Sequence, residues 1–301
     1  INQTMQNELK EIVSDSLKKV KKQKNEMIVV DIGANDGTLL KNYPKSIYRI
    51  GVEPIKKYAK ECKKNANRVI NNFFSYESFQ KEIGNKKADI ISAISCFYDM
   101  DEPNKFVSDI TKILNEDGIF VIQQNYLVGM LRLNAFDNIV HEHLEYYSLL
   151  SLNNLLKKHG LEIFDLELRD LNGGSFRTYI AFKDIRKISK TVEKLEKYEK
   201  KLGLDKKRVY MSFAKRIEKN RTKIIDFIKK ENKKGKTIYL YGASTRGNTM
   251  LQYFGLNNKL IKYAVERNPE KWGKIITSVN IPIISEELAR KAKPDYMLVL
   301  P

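Results

Sequence analysis

The chain has 301 residues, 42% hydrophobic and 31% charged, which is long enough for two domains with a substantial core and ordinary for a globular protein. No apolar run approaches the roughly 20 residues that span a bilayer, so no membrane partner is expected. The net charge of +18, from 55 Lys+Arg against 37 Asp+Glu, raises nucleic acid as a partner. However, the lysines are dispersed through helical stretches (Lys18 to Lys24, Lys187 to Lys236) without the aromatic interleaving that stacks bases. An anionic small molecule rather than nucleic acid is therefore the expected partner; the oligomeric state is not legible. Two cysteines, Cys62 and Cys96, stand far apart, predicting a reducing, cytoplasmic compartment and no metal site. The first residue is Ile1 rather than Met, which reads as a fragment with any leader or upstream module out of view.

In chain order, Asn2 to Lys22 predicts a helix whose apolar stripe (Met5, Leu9, Ile12, Val13, Leu17, Val20) packs on a sheet. Met27 to Val30 is a β-branched run of the kind buried on both faces. Asp31-Ile-Gly33-Ala-Asn35-Asp36-Gly37 then forms a tight glycine turn, and Thr38 is expected to start a helix. A second strand, Tyr48 to Val52, ends in Glu53, twenty residues after Gly33. A carboxylate at that tip is placed to accept both ribose hydroxyls of a nucleotide. The loop separates two cofactors. A dinucleotide site wants G-x-G-x-x-G to hold pyrophosphate, whereas G-A-N-D-G sets Asp31 and Asp36 beside it. Acids suit a cationic cofactor, and S-adenosylmethionine, which leaves as S-adenosylhomocysteine, carries a sulfonium and an amino group. The competing reading is a plain strand–turn–helix with two solvated acids.

Ile55 to Asn65 predicts a helix and Arg68 to Ile70 a third strand, after which Phe73 or Phe74 is expected to flank the adenine. Ala88 to Ser95 and Gly118 to Gln123 are the fourth and fifth strands, around a helix from Pro103 to Leu114. Strands and helices alternating at this spacing mean a parallel α/β sheet.

Phe136-Asp-Asn-Ile-Val140-His141-Glu142-His143-Leu-Glu145 carries two of the three histidines in the chain. Acid/base catalysis, metal ligation and hydrogen-bonded structural histidines all fit a carboxylate between two imidazoles; H-x-H alone lacks the further ligands that a metal requires. Asn172-Gly173-Gly174-Ser175-Phe-Arg177 joins two expected strands, Glu162 to Leu168 and Phe176 to Phe182. Its amides and guanidinium suit phosphate or a carbonyl oxygen, and the same residues suit a hairpin turn. Ile185 to Lys234 reads as long connecting helices. Gly235 to Gly242 restarts the strand pattern, and Ser244-Thr-Arg246-Gly-Asn248 opens a helix suited to an anion. A further strand, Leu260 to Val265, ends in Glu266-Arg267. One crevice thus opposes carboxylates to a cation, the other arginines and amides to an anion.

With DIGANDGTLL, GVEP, the Phe73-Phe74 pair, FDNIVHEHLEYYSL, NGGSFRTYI, YGASTRGNT and ERNPEKWG, nearly the whole chain resembles the sugar C-methyltransferases of bacterial deoxysugar pathways. The resemblance implies a class I methyltransferase core over residues 1–184, a helical connector over 185–234 and a smaller Rossmann-like domain over 235–301 that helps to hold a nucleotide sugar. It implies S-adenosylmethionine held by Asp31, Gly33, Asn35, Asp36, Glu53, Phe73, Phe74 and Ser95. It further implies His143 as base with Glu142 and His141 alongside, and substrate contacts from Tyr98, Asn172, Gly173, Gly174, Ser175, Arg177, Ser244, Arg246, Asn248, Glu266 and Arg267. The family's four-cysteine zinc module has no counterpart here, Val140 replaces a tyrosine and Ser95 an asparagine. The chain thus resembles a divergent branch. C-methylation of a keto-deoxysugar is the expected reaction, with O-methylation of a sugar precursor for surface polysaccharide as its alternative. A non-enzymatic nucleotide-sugar or nucleic-acid binder and a nicotinamide dehydrogenase are readings from other classes.

Overall fold

The computed structural model describes residues 3–21, 23, 26–171 and 173–300. Contacts divide the chain into two compact units, Ile1–Gly129 with Leu144–Leu202, and Met130–His143 with Gly203–Pro301.

The first unit holds α1 (Gln3–Lys19), β1 (Ile28–Ile32), β2 (Tyr48–Val52), α2 (Lys56–Cys62), β3 (Arg68–Ile70), α3 (Tyr76–Ile83), β4 (Ala88–Ile94), α4 (Pro103–Ile113) and β5 (Leu114–Asn125). Then follow α5 (Leu127–Leu133), which runs past the division, α6 (Leu149–Lys157), β6 (Leu161–Arg169), β7 (Ser175–Phe182) and α7 (Lys190–Leu202). Seven strands form one sheet in the order β3-β2-β1-β4-β5-β7-β6. The first five are mutually parallel, and β7 runs antiparallel to both β5 and β6. Strand order reverses at β1, whose neighbours are β2 and β4, and ligands of open α/β sheets bind outside the carboxyl ends at such a switch point.

The apolar stripe of α1 does pack on this sheet, with Leu9, Ile12 and Val13 in one core with Val29, Ile90, Ile119 and Val121. The helix expected from Thr38 does not form. Its place is taken by a single 3₁₀ turn, Leu40–Asn42, because Pro44 holds Tyr43 in extended backbone (φ −75°, ψ 144°). The fifth strand is longer than expected at both ends, and the Asn172-Gly-Gly stretch joins the antiparallel pair β6–β7.

The second unit contains α8 (Lys207–Lys233), β8 (Ile238–Tyr241), α9 (Thr245–Phe254), β9 (Ala264–Glu266), β10 (Ile275–Ile276), β11 (Ile281–Ser285), α10 (Glu286–Ala292) and β12 (Tyr296–Val299). Its sheet runs β10-β11-β9-β8-β12, parallel except for β10. Residues 185–234, expected as a connector, are divided between the two units. Helix α7 buries Val192, Leu195 and Glu199 within the first unit. Helix α8 belongs to the second, where Arg216 donates to the Leu131 carbonyl (2.6 Å) and to Asn134 Oδ1 (2.8 Å). Both helices are amphipathic, and their spacing alone does not say which core each apolar stripe joins.

Candidate active site

In the first unit the predicted loop caps the carboxyl ends of β1 and β2. Gly33 and Ala34 both donate to the Val52 carbonyl, at 2.9 and 3.1 Å, folding the turn over the end of β2. Gly33 has φ 72°, and a Cβ there would lie 3.3 Å from Cys96 Sγ, so only glycine fits without strain. Asn35 follows at φ 50°, and its N–H donates to Glu53 Oε2 at 2.9 Å. The Ile55 N–H donates to Glu53 Oε1 at 2.8 Å. An ionised carboxylate offers about four acceptor sites, so these bonds use one on each oxygen and leave a geometry suited to two vicinal hydroxyls.

Asp31 lies buried beneath the turn and accepts the Ser92 hydroxyl at 2.7 Å. Burial pushes its carboxyl up to about 7; the Ser92 bond opposes this and the nearby Glu53 charge adds to it. Ser95, at the end of β4, takes φ 57°, an uncommon conformation for a residue other than glycine. Phe73 is 77% exposed, whereas Phe74 turns inward, edge-on to Phe106 with centroids 5.1 Å apart. Of the pair, Phe73 is thus the aromatic open to a base. Asp36 is partly exposed and also serves the loop itself. Its Oδ1 accepts from both the N–H and the hydroxyl of Thr38, at 3.0 and 2.5 Å, closing the turn it sits in. The two acids, the glycine cradle and the exposed aromatic fit S-adenosylmethionine.

In the second unit the histidine segment is held against α9. Phe136 stacks on Phe254 (centroids 5.2 Å, 25° between planes) and lies 5.4 Å from Tyr253. Buried Asp137 receives Arg246 Nε at 2.6 Å. His143 is half-buried with Nδ1 2.8 Å from the Asn138 carbonyl oxygen. A carbonyl only accepts, so Nδ1 carries the hydrogen; in the neutral ring the lone pair is then on Nε2. His141 and Glu142 are exposed and 3.8 Å apart. A cavity of about 620 Å³ is lined by Val140, His141, Thr245, Asn248 and Gln252 among others. The Asn248 Oδ1 is buried with no partner among the described residues.

Several residues expected to touch substrate are engaged elsewhere. Arg177 is fully buried, bonded to Gln123 Oε1 and Glu8 (both 2.8 Å) and paired with Asp15 (3.3 Å). The reason is strand alternation, which turns Ser175, Arg177 and Tyr179 to one face of β7, on which Tyr179 joins the α1 core. Ser175 is buried, and Gly173 and Gly174 (φ 83° and 98°) make the hairpin turn, with Gly174 N–H donating to Leu171 O. Asn172 lies outside the described residues. Tyr98 is half-buried, and its carbonyl accepts the N–H groups of Leu144 (3.1 Å) and Glu145 (3.0 Å). Ser244 caps α9 by accepting from Gly247 N–H. Arg267 is bonded to Glu286 at 2.8 Å. Glu266 repeats the position of Glu53 but not its availability. Its oxygens accept the Ala243, Arg267 and Asn268 N–H groups and pair with Lys271, filling the acceptor sites that ribose would need. Glu11, Asp15 and Glu167 bring oxygens within 4.8 Å of one another, and each of the three pairs with Arg169 or Arg177.

Residues 2–166 match the family model described as a methyltransferase domain. The chain belongs to the methyltransferase family. Residues 170–301 of this methyltransferase chain match a second model, the C-methyltransferase C-terminal domain. It is 31% identical over 277 residues to the C-methyltransferase NovU of Streptomyces niveus, covering 91% of this chain and 66% of that protein. The chain thus spans about two thirds of the length of that curated relative. Solved structures it resembles include the magnesium protoporphyrin IX methyltransferase of Synechocystis PCC 6803 (10% identity, TM-score 0.46, 61% of this chain and 89% of that one). Another is the YcgJ protein of Bacillus subtilis (14% identity, TM-score 0.43, 58% and 96%). The seven-stranded sheet is the Rossmann-like sheet of a class I methyltransferase.

Sequence reasoning missed three residues in this methyltransferase. Ser92, which bonds Asp31, reads as one more small residue in a buried strand. Asp137 and Asn138 sit inside the quoted FDNIVHEHL motif, but nothing local shows that their partners are Arg246 and the His143 ring.

Proposed function

We propose that the protein is an S-adenosylmethionine-dependent methyltransferase that methylates a carbon of a nucleotide-linked keto-deoxysugar, with His143 as general base. The observation that carries the reading is the Nδ1–H···O=C bond from His143 to Asn138 at 2.8 Å, which fixes the tautomer whose Nε2 takes up a proton. The match of residues 170–301 to a C-methyltransferase C-terminal domain supports carbon as the acceptor. The cofactor supplies an electrophilic methyl group on sulfonium. The Asn35–Glu53 loop binds its ribose, Asp31 favours its cationic end, and Asn248 accepts a hydrogen bond from the sugar. His143 Nε2 removes the proton beside the ketone, a contribution of typically ~10²–10⁴-fold, while positioning supplies much of the remainder.

The test is incubation with ¹³C-methyl S-adenosylmethionine and a panel of keto and non-keto nucleotide sugars, read by NMR. A methyl signal on carbon is expected. A signal on oxygen overturns the acceptor and fits Val140, which brings no hydroxyl to the cavity wall. Bound cofactor with no transfer across the panel favours the non-enzymatic binder. His143→Ala is expected to lose at least ~100-fold in kcat, and retention of more than a tenth of turnover removes it as base.

A further inference from the structure

We propose that Asp137 and Arg246 form a clamp that sets the tautomer and aim of the His143 ring, making both of them positioning residues for proton transfer. The proposal rests on the reading of His143 as base. Arg246 was expected to meet a substrate anion, but it faces Asp137. Its Nε lies 2.6 Å from Asp137 Oδ2, and its Nη2 contacts the same oxygen. Asp137 is 5% exposed, so the pair is largely removed from water, where it persists only if well bonded. Arginine in the first turn of α9 also opposes the helix dipole, which favours anions there. A cation kept in that place needs a fixed partner, and Asp137 is that partner.

Residues on either side of Asp137 transmit the constraint. Phe136 is stacked on Phe254, which anchors the near side of the turn. The Asn138 carbonyl accepts His143 Nδ1–H at 2.8 Å and Val140 N–H at 3.0 Å, which uses both of its lone pairs. Asn138 itself donates from N–H and Nδ2 to the Ala135 carbonyl, both at 3.2 Å. The 3₁₀ turn Phe136–Asn138 has only three residues and no length to stabilise itself. Its anchoring to α9 therefore decides where the Asn138 carbonyl points, and that carbonyl decides which ring nitrogen of His143 carries hydrogen.

The chain has three histidines, so long-range ¹H–¹⁵N correlation spectra resolve each imidazole, assigned with His141→Gln and His159→Gln. At a pH where the rings are neutral, His143 is expected as the Nδ1–H form in the native protein and as a mixture in Asp137→Asn. An unchanged His143 pattern in a folded Asp137→Asn protein overturns the proposal. If Asp137→Asn does not fold, the neutral pair Asp137→Asn with Arg246→Gln takes its place under the same criterion. In the transfer assay, Asp137→Asn is expected to lower kcat by roughly 10- to 100-fold with acceptor KM nearly unchanged. Arg246→Lys, which keeps the charge but not the fork, should lose less than Arg246→Gln. In a His143→Ala background the Asp137→Asn loss should vanish, since residues acting as a unit are not additive; a multiplicative loss overturns the clamp. If His143→Ala alone keeps its turnover, the base reading falls, and the ring spectra still decide whether the clamp sets the tautomer.

Discussion

Asp31 shows how a single residue couples fold and ligand. Its carboxyl holds its proton up to about 7, against an ordinary value of 3.8, chiefly through burial. Between those values a folded Asp31 holds a proton that the unfolded one has lost, so the contribution of this group to stability is fullest below about pH 4 and falls as pH rises toward 7. The penalty at pH 8 is on the order of a few kcal/mol, offset when a cation binds alongside. In thermal melts of the ligand-free protein, the Tm of the native chain minus that of Asp31→Asn should therefore decline through this window. Calorimetric titration should find S-adenosylmethionine binding more tightly above pH 7 than below it, with the dependence lost in Asp31→Asn. Glu53 differs because it accepts two backbone N–H groups from the loop above it. In Glu53→Gln, one oxygen becomes a donor facing an N–H, and cofactor affinity should fall by roughly 10- to 100-fold, corresponding to about 1–3 kcal/mol for an unsatisfied buried group.

At the scale of elements, the least anticipated outcome is the tie between α1, β6 and β7. Glu8 receives both Arg169 (2.9 and 2.8 Å) and Arg177 (2.8 Å), stapling a helix at one end of the sequence to a hairpin more than 150 residues away. Removing one member of a buried charged network leaves the others uncompensated, at about 3–5 kcal/mol. Arg177→Ala should show that loss in denaturant unfolding and leave acceptor KM as in the native protein wherever it remains folded. A substrate role for Arg177 would produce the opposite pattern, a raised KM with unfolding unchanged. The short segment after β1 teaches a related lesson, since Pro44 truncates what the apolar Leu39-Leu40 pair would otherwise continue as helix.

For the whole molecule, the +18 charge is distributed rather than focused. Many of its lysines lie within reach of acids, as with Lys105 and Lys112 about Asp109 (3.0 and 2.8 Å) or Lys234 about Glu231 (2.8 Å). Binding to random duplex DNA should accordingly be weak, and lost between about 50 and 200 mM salt. Retention at the higher salt, measured by fluorescence anisotropy, would point to a built nucleic-acid surface. No helix among the described residues is long and apolar enough to cross a membrane.

What the sequence determined by itself was local: buried strands from β-branched runs, the glycine turn, the carboxylate at the tip of β2, and the histidine motif. These depend on periodicity and on residues within a few positions of one another, which a sequence displays directly. Only the tertiary structure decided how those pieces were used. Glu53 and Glu266 end equivalent strands, yet one keeps acceptor sites for a ligand and the other fills them with backbone and Lys271. Arg177 and Arg246 both follow loops suited to anions, yet both meet carboxylates of this chain, at sequence separations of 169 and 109. Charge pairing between distant residues carries no periodic signature. A side chain's role therefore becomes legible only when folding has chosen its neighbours.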